Sequence, residues 1–113
     1  MVQDMGAFEF EIEAVFNMTS SAGVSRAFSG KMLHGSLSQG DKARLNVDGF
    51  NFILDIEACE ISRKKVINLS QENGSCAVLA SINPPDEFKI LQSERGLTFF
   101  EGLKIENYTE YKP

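Results

Sequence analysis

The residue types that could do chemistry are few in this chain, and most stand apart. His34 is the single histidine. Catalysis through histidine needs a nucleophile and an orienting acid at fixed distance. No such set accompanies it, and beside Gly35 it reads as a turn histidine in water. Arg63-Lys64-Lys65 places three cations in a row. They could grip a phosphate or an acidic partner, although three consecutive cations ordinarily form a solvated corner. Glu11 and Glu13 lie two apart and share a face of any strand. As a pair they suit acid–base work or a cation, but a hard cation wants more converging oxygens. Cys59 and Cys76 sit inside apolar runs without Cys-x-x-Cys spacing, which argues against zinc and for two small buried hydrophobes. The phenylalanines fall on inward parity, so they read as core. Phe99-Phe100 is the exception: neighbours on a strand point to opposite faces, which makes one of them, beside Leu103, a candidate partner surface.

The elements that must position these residues are extended. Phe8–Met18 alternates, with Phe8, Phe10, Ile12, Ala14, Phe16 and Met18 on one face and Glu9, Glu11, Glu13 and Asn17 on the other; only Val15 breaks the pattern. Period-two alternation of this length is a half-buried antiparallel strand, and its row of glutamates is a solvated face that also guards an edge. Thr19–Gly23 is a loop by composition. Val24–Met32 is the second strand. Gly30, Gly35 and Gly40 then punctuate the chain, as glycines do at bulges, corners and tight reversals. Lys42–Val47 alternates again, Asp48-Gly49 is a strong hairpin signal, and Phe50–Ile56 returns with Phe50, Phe52 and Leu54 on one parity. Glu57–Ile61 continues extended to the basic corner. After Asn73-Gly74, the apolar run Ser75–Ile82 suits a central strand buried on both faces. Asn83-Pro84-Pro85 stops it. One helical turn is expected within Asp86–Leu91, and a last strand over Leu97–Phe100.

About seven short strands, with turn signals every 8–15 residues, predict an all-β barrel or sandwich; the three glycines favour the closed barrel. The 113 residues fit one domain, residues 1–113. The barrel would cover about 7–100, and residues 101–113 would be an extension or an added strand. The net charge of −5 repels phosphate backbones unless the basic residues cluster. No apolar run approaches the ~20 residues that span a bilayer, and no basic-then-apolar leader opens the chain. These features predict a cytoplasmic protein with no membrane, DNA, metal or cofactor partner.

Several motifs in order resemble domain 2 of translational GTPases such as elongation factor Tu. They are Phe8-x-Phe10-x-Ile12-Glu13-x-Val15-Phe16, Phe28-Ser29-Gly30-Lys31-Met32 and Gly35-Ser36-Leu37-Ser38-Gln39-Gly40-Asp41-Lys42. They are similar to that family's Ile-Glu-x-Val-Phe, Thr-Gly-Arg-Val and Gly-x-Leu/Ile-x-x-Gly-Asp-x-Val. Glu60-Ile61-Ser62-Arg63-Lys64 stands where the family has Glu-Met-x-Arg-Lys, Asn73–Leu79 falls near its Gly-Asp-Asn-Val-Gly-Val-Leu, and Gly96-Leu97 is similar to its Gly-Met/Val-Leu. The likeness covers roughly residues 7–100. It implies a closed Greek-key barrel of six to seven strands. In the family, acidic and aromatic residues of Ile-Glu-Asp-Val-Phe help form a pocket for the aminoacyl end of tRNA; Glu13 and Phe16 match two of them. Ala14 replaces an acid, and Ser20-Ser21-Ala22-Gly23 replaces Gly-Arg-Gly. No Gly-x-x-x-x-Gly-Lys-Ser/Thr phosphate loop occurs, so no GTPase activity is expected.

The function expected is therefore a non-enzymatic binding module that docks a protein or an RNA-containing assembly, such as a ribosome or tRNA. Its face would join Arg63, Lys64 and Lys65 with Arg26, Lys31 and Arg44, together with Glu13, Phe16 and the loop Thr19–Gly23. The alternative is a self-associating barrel whose Ile105, Tyr108 and Tyr111 pack across a homodimer interface.

Overall fold

A computed structural model describes residues 7–17 and 24–108. Nine strands follow in order: β1 (Glu9–Asn17), β2 (Ser25–His34), β3 (Ser36–Ser38), β4 (Lys42–Val47), β5 (Phe50–Ile61), β6 (Lys64–Val66), β7 (Asn68–Ser70), β8 (Ser75–Asn83) and β9 (Lys104–Asn107). A 3₁₀ turn (Gln71–Asn73) precedes β8. Helix α1 (Pro85–Arg95) and a second 3₁₀ turn (Leu97–Phe100) lie between β8 and β9.

Six strands close on themselves in the order β4-β9-β1-β2-β8-β5, and β5 returns to pair with β4; β6 adds to the far end of β5. Every pairing is antiparallel. Closure removes the exposed edges that an open sheet would leave. The barrel is filled by alternate side chains, Phe10, Ile12, Phe28, Leu45, Leu54, Val78, Ile82 and Ile105 among them, all essentially buried. A separate ladder of β3 with β7 buries the opposed pair Leu37 and Leu69. Near the other end of β8, α1 inserts Phe88 between Phe52 and Phe100, at 5.4 and 5.1 Å between ring centres.

Four details differ from the reading of the sequence. First, β9 is a barrel stave, wedged between β1 and β4, not an addition to a barrel that ends at Phe100. Second, Leu97–Phe100 is a 3₁₀ turn instead of a strand. The turn carries Phe100 into the core and lays Phe99 half-buried across it, beneath the Arg95 guanidinium at 4.9 Å. The single exposed aromatic expected beside Leu103 is therefore not formed. Third, α1 runs three turns instead of one, started by Pro85 at its first position and ended at Gly96. Fourth, β8 is buried on one side only. Cys76, Val78, Ala80 and Ile82 face inward, while Ala77, Leu79 and Ser81 lie half-exposed on the outer wall, because the inside of a closed barrel takes only every second residue.

Candidate functional site

The most consequential departure lies in β1. Its pairing with β2 slips between Ile12 and Ala14, so Glu13 is the extra residue of a β-bulge. A bulge shifts side-chain parity by one. Phe10 and Ile12 point inward before it, and Val15 points inward after it. Phe16, expected in the core, therefore stands on the outer wall, 54% exposed. The bulge is stabilised locally: the Ile12 amide donates to the Leu103 carbonyl at 2.8 Å, and the Gly102 amide donates to the Ile12 carbonyl at 2.7 Å. The 102–103 segment thereby takes up the backbone groups of β1 where its ladder with β9 ends.

Phe16 borders a shallow depression of about 340 Å³ that crosses the outer faces of β2, β8 and β5. Ser29, Ser75 and Ala77 make its floor, and Glu60, Ser62 and Arg63 make the far wall. A smaller hollow over Ala27 and Leu79 continues it, sharing Glu60 and Ala77. The floor is low because the outward positions of β2 and β8 carry small side chains. Arg63 is placed by the β5–β6 hairpin, where Ser62 and Arg63 both take left-handed backbone, at φ 53° and 67°. That conformation is uncommon for residues other than glycine, and it projects the corner beyond the sheet. Lys64 and Lys65 follow on β6, both exposed. Among the described residues, no carboxylate lies within ion-pair distance of Arg63, Lys64 or Lys65.

Of the remaining cations expected on this face, Lys31 stays on the same wall, opposite Ser75 on β8, while Arg44 and Arg26 serve other contacts. Arg44 sits on β4, diametrically across the barrel from β2, and pairs with Glu106 at 3.7 Å. Lys31 pairs with Glu11 across β1 and β2 at 3.9 Å. Arg26 belongs to the packing of α1: its Nε donates to Gln92 Oε1 at 2.8 Å, its Nη1 donates to the Ser25 carbonyl at 2.8 Å, and it lies 5.6 Å from the Phe88 ring centre. Carboxylates across the strands thus hold Lys31 and Arg44, α1 holds Arg26, and a single basic face of six is not formed. The loop Thr19–Gly23 lies outside the described residues.

The homodimer surface is also revised. Ile105 is fully buried in the barrel, so it has nothing to offer a second copy. Tyr108 is partly exposed, and Tyr111 lies outside the described residues.

The nucleophile nearest the depression is poorly activated. Cys76 is buried at its edge, and burial raises its thiol, aided by the charge of Glu13, against a lowering hydrogen bond from the Met32 backbone. The Cys59 thiol is pushed up to about 11, by burial first and then by Cys76 and Asp41. Both are free thiols, and neither has the thiolate character of a reactive cysteine. His34 stands exposed at the end of β2. Among the described residues, no group of three or more His, Cys, Asp or Glu side chains converges in a way that would hold a metal ion, and no helix is long and apolar enough to cross a membrane.

The reading of the sequence missed Ser29, Ser75, Ala77 and Glu60 as neighbours of Phe16. One signal was present: Val15 interrupts the alternation of β1, and a single break of that kind marks a bulge. A scan against protein-family models finds no match, and a search of curated proteins finds no similar one.

Proposed function

We propose that this chain is a non-enzymatic binding module that resembles the second, barrel domain of translation factors, and that it docks an RNA-containing partner on the wall between Phe16 and Arg63. One observation carries the reading: an exposed aromatic, Phe16, and a cation with no carboxylate partner among the described residues, Arg63, border the same polar-floored depression, with Lys64 and Lys65 next in the chain. Unpaired bases stack on exposed aromatic rings, and their phosphates follow nearby cations. Arg63 adds a planar guanidinium able to hold a phosphate through two hydrogen bonds. Glu60, on the same wall, disfavours phosphate beside it and leaves the corner at Arg63, Lys64 and Lys65 as the backbone contact.

The barrel closes as the family resemblance implied, and the two residues it singled out, Glu13 and Phe16, both stand on the outer surface. The test is co-sedimentation with ribosomes and retention of total tRNA, using the full chain and a variant with Arg63, Lys64 and Lys65 changed to Ala. Retention that is lost in the variant supports the reading. Absence of retention by the unaltered chain at low salt ends it.

A further inference from the structure

We infer that the groove between α1 and the tip of the β4–β5 hairpin docks a basic segment of a partner protein, one that presents a large apolar side chain flanked by Lys or Arg. The groove lies near the opposite end of β8 from the Phe16 depression and stands independently of it.

Glu87, Ile90, Leu91 and Glu94 fall at i, i+3, i+4 and i+7, which is one stripe of a helix. Its two middle members are apolar, a type that a helix ordinarily turns to the core. Here Leu91 packs against the barrel, but Ile90 is left 57% exposed. Across from it, Phe50 is 46% exposed. The alternation of β5 placed Phe50 inside with Phe52 and Leu54. It does lie on their face, but the hairpin tip carries it past the rim, where its ring meets the edge of Phe52, at 4.8 Å between ring centres and 64° between planes. The two apolar residues open onto one cavity of about 260 Å³. This is below the ~300–1,000 Å³ usual for small-molecule sites, so it suits an inserted side chain better than a whole cofactor.

Charge selects the occupant. Every titratable side chain lining the groove is a carboxylate: Asp48, Glu87 and Glu94. Arg95 reaches Asp48 at 3.7 Å from the outside, where it also covers Phe99. Among the described residues, no cation pairs with Glu87 or Glu94. An apolar floor inside a ring of carboxylates repels acidic segments and anionic membranes, and it attracts an apolar anchor between cations. The Phe52–Phe88–Phe100 stack behind the floor makes the site preformed, so little ordering of this chain is required on binding.

The test uses three synthetic peptides of equal length, titrated into the full chain and followed by amide chemical shifts and fluorescence polarisation. One carries a central Phe and Leu flanked by Lys and Arg, one replaces the flanks with Glu, and one replaces Phe and Leu with Ser. The first should bind at least tenfold more tightly than either control, shifting amides in 47–52 and 87–95 and leaving those of β6 unmoved. Glu87→Gln with Glu94→Gln should weaken it several-fold and flatten its salt dependence. Ile90→Ser, a change at an exposed site, should weaken it tenfold without moving the unfolding midpoint. No binding of the first peptide, equal binding of the acidic control, or shifts confined to another surface would overturn the assignment. So would concentration-dependent self-association that Ile90→Ser abolishes, since the groove would then hold a second copy.

Discussion

Gly30 faces the backbone carbonyl of Glu11 across β1 and β2 so closely that a β-carbon on Gly30 would overlap that oxygen outright. The obstacle is main chain, not the end of a flexible side chain, so it cannot rotate away. Gly30 is paired with Ile12, one residue before the bulge. The tight crossing and the parity shift that exposes Phe16 are thus parts of one local geometry.

Gly30→Ala should therefore destabilise the chain by about 3 kcal/mol, the upper end of overpacking costs. Gly49→Ala is the contrast. Gly49 has positive φ but nothing within contact of an added carbon, so only the left-handed backbone penalty of about 1 kcal/mol applies. Urea unfolding of both variants checks the difference, and equal losses would show that β1 and β2 can separate freely.

Val15→Ala and Phe16→Ala should exchange the roles that simple alternation assigns them. Val15 is buried at 6% exposure, and its truncation should cost about 2 kcal/mol. Phe16→Ala should cost less than about 0.5 kcal/mol, as at an ordinary surface site, yet weaken RNA binding by about tenfold, in keeping with ~1–3 kcal/mol for a stacked base. Urea midpoints and RNA titrations of the two variants decide it.

That exchange also marks how far the residues alone could be read. The strands were legible because Lys42–Val47 alternates without a break and because Asp48-Gly49 takes the positive φ its hairpin requires; closure was legible from Gly30, Gly35 and Gly40, which permit sharp coiling. The bulge was less legible, since one apolar residue out of step weighs little against six in step. Leu97–Phe100 looked like a strand because local propensity is blind to the cavity beside Phe88 that Phe100 fills. The separation of Arg26 and Arg44 from the wall between Phe16 and Arg63 was illegible altogether, as it depends on which strands become neighbours on closure.

Arg26→Ala should separate structure from binding. It removes the hydrogen bond to Gln92 and the contact with Phe88, and it should cost about 1–2 kcal/mol. RNA binding should persist unchanged, because Arg26 serves α1. A variant of native stability with impaired RNA binding would return Arg26 to the binding face.

Stability should decline in alkali partly through Cys59. Burial pushes its folded thiol up to about 11, above the ordinary thiol value of 9.0. A raised pKa favours the protonated, folded form, so the contribution is complete below pH ~9 and is lost as pH rises towards ~11. A tenfold change in proton affinity is ~1.4 kcal/mol, which sets a ceiling of about 3 kcal/mol. Urea midpoints from pH 8 to 11 should fall more steeply for the unaltered chain than for Cys59→Ala. Parallel declines would refute this assignment.

The measurement that bears most directly on the proposed function is the salt dependence of tRNA binding by the full chain, beside Arg63→Ala and Phe16→Ala. With three cations on phosphate and ~0.7 counterion released per single-strand contact, the logarithm of affinity should fall with the logarithm of salt at a slope of about −2. Arg63→Ala should make that slope shallower by about 0.7, and Phe16→Ala should lower affinity at every salt concentration without changing the slope. No binding at about 50 mM salt, or a slope that Arg63→Ala leaves unmoved, would contradict the account.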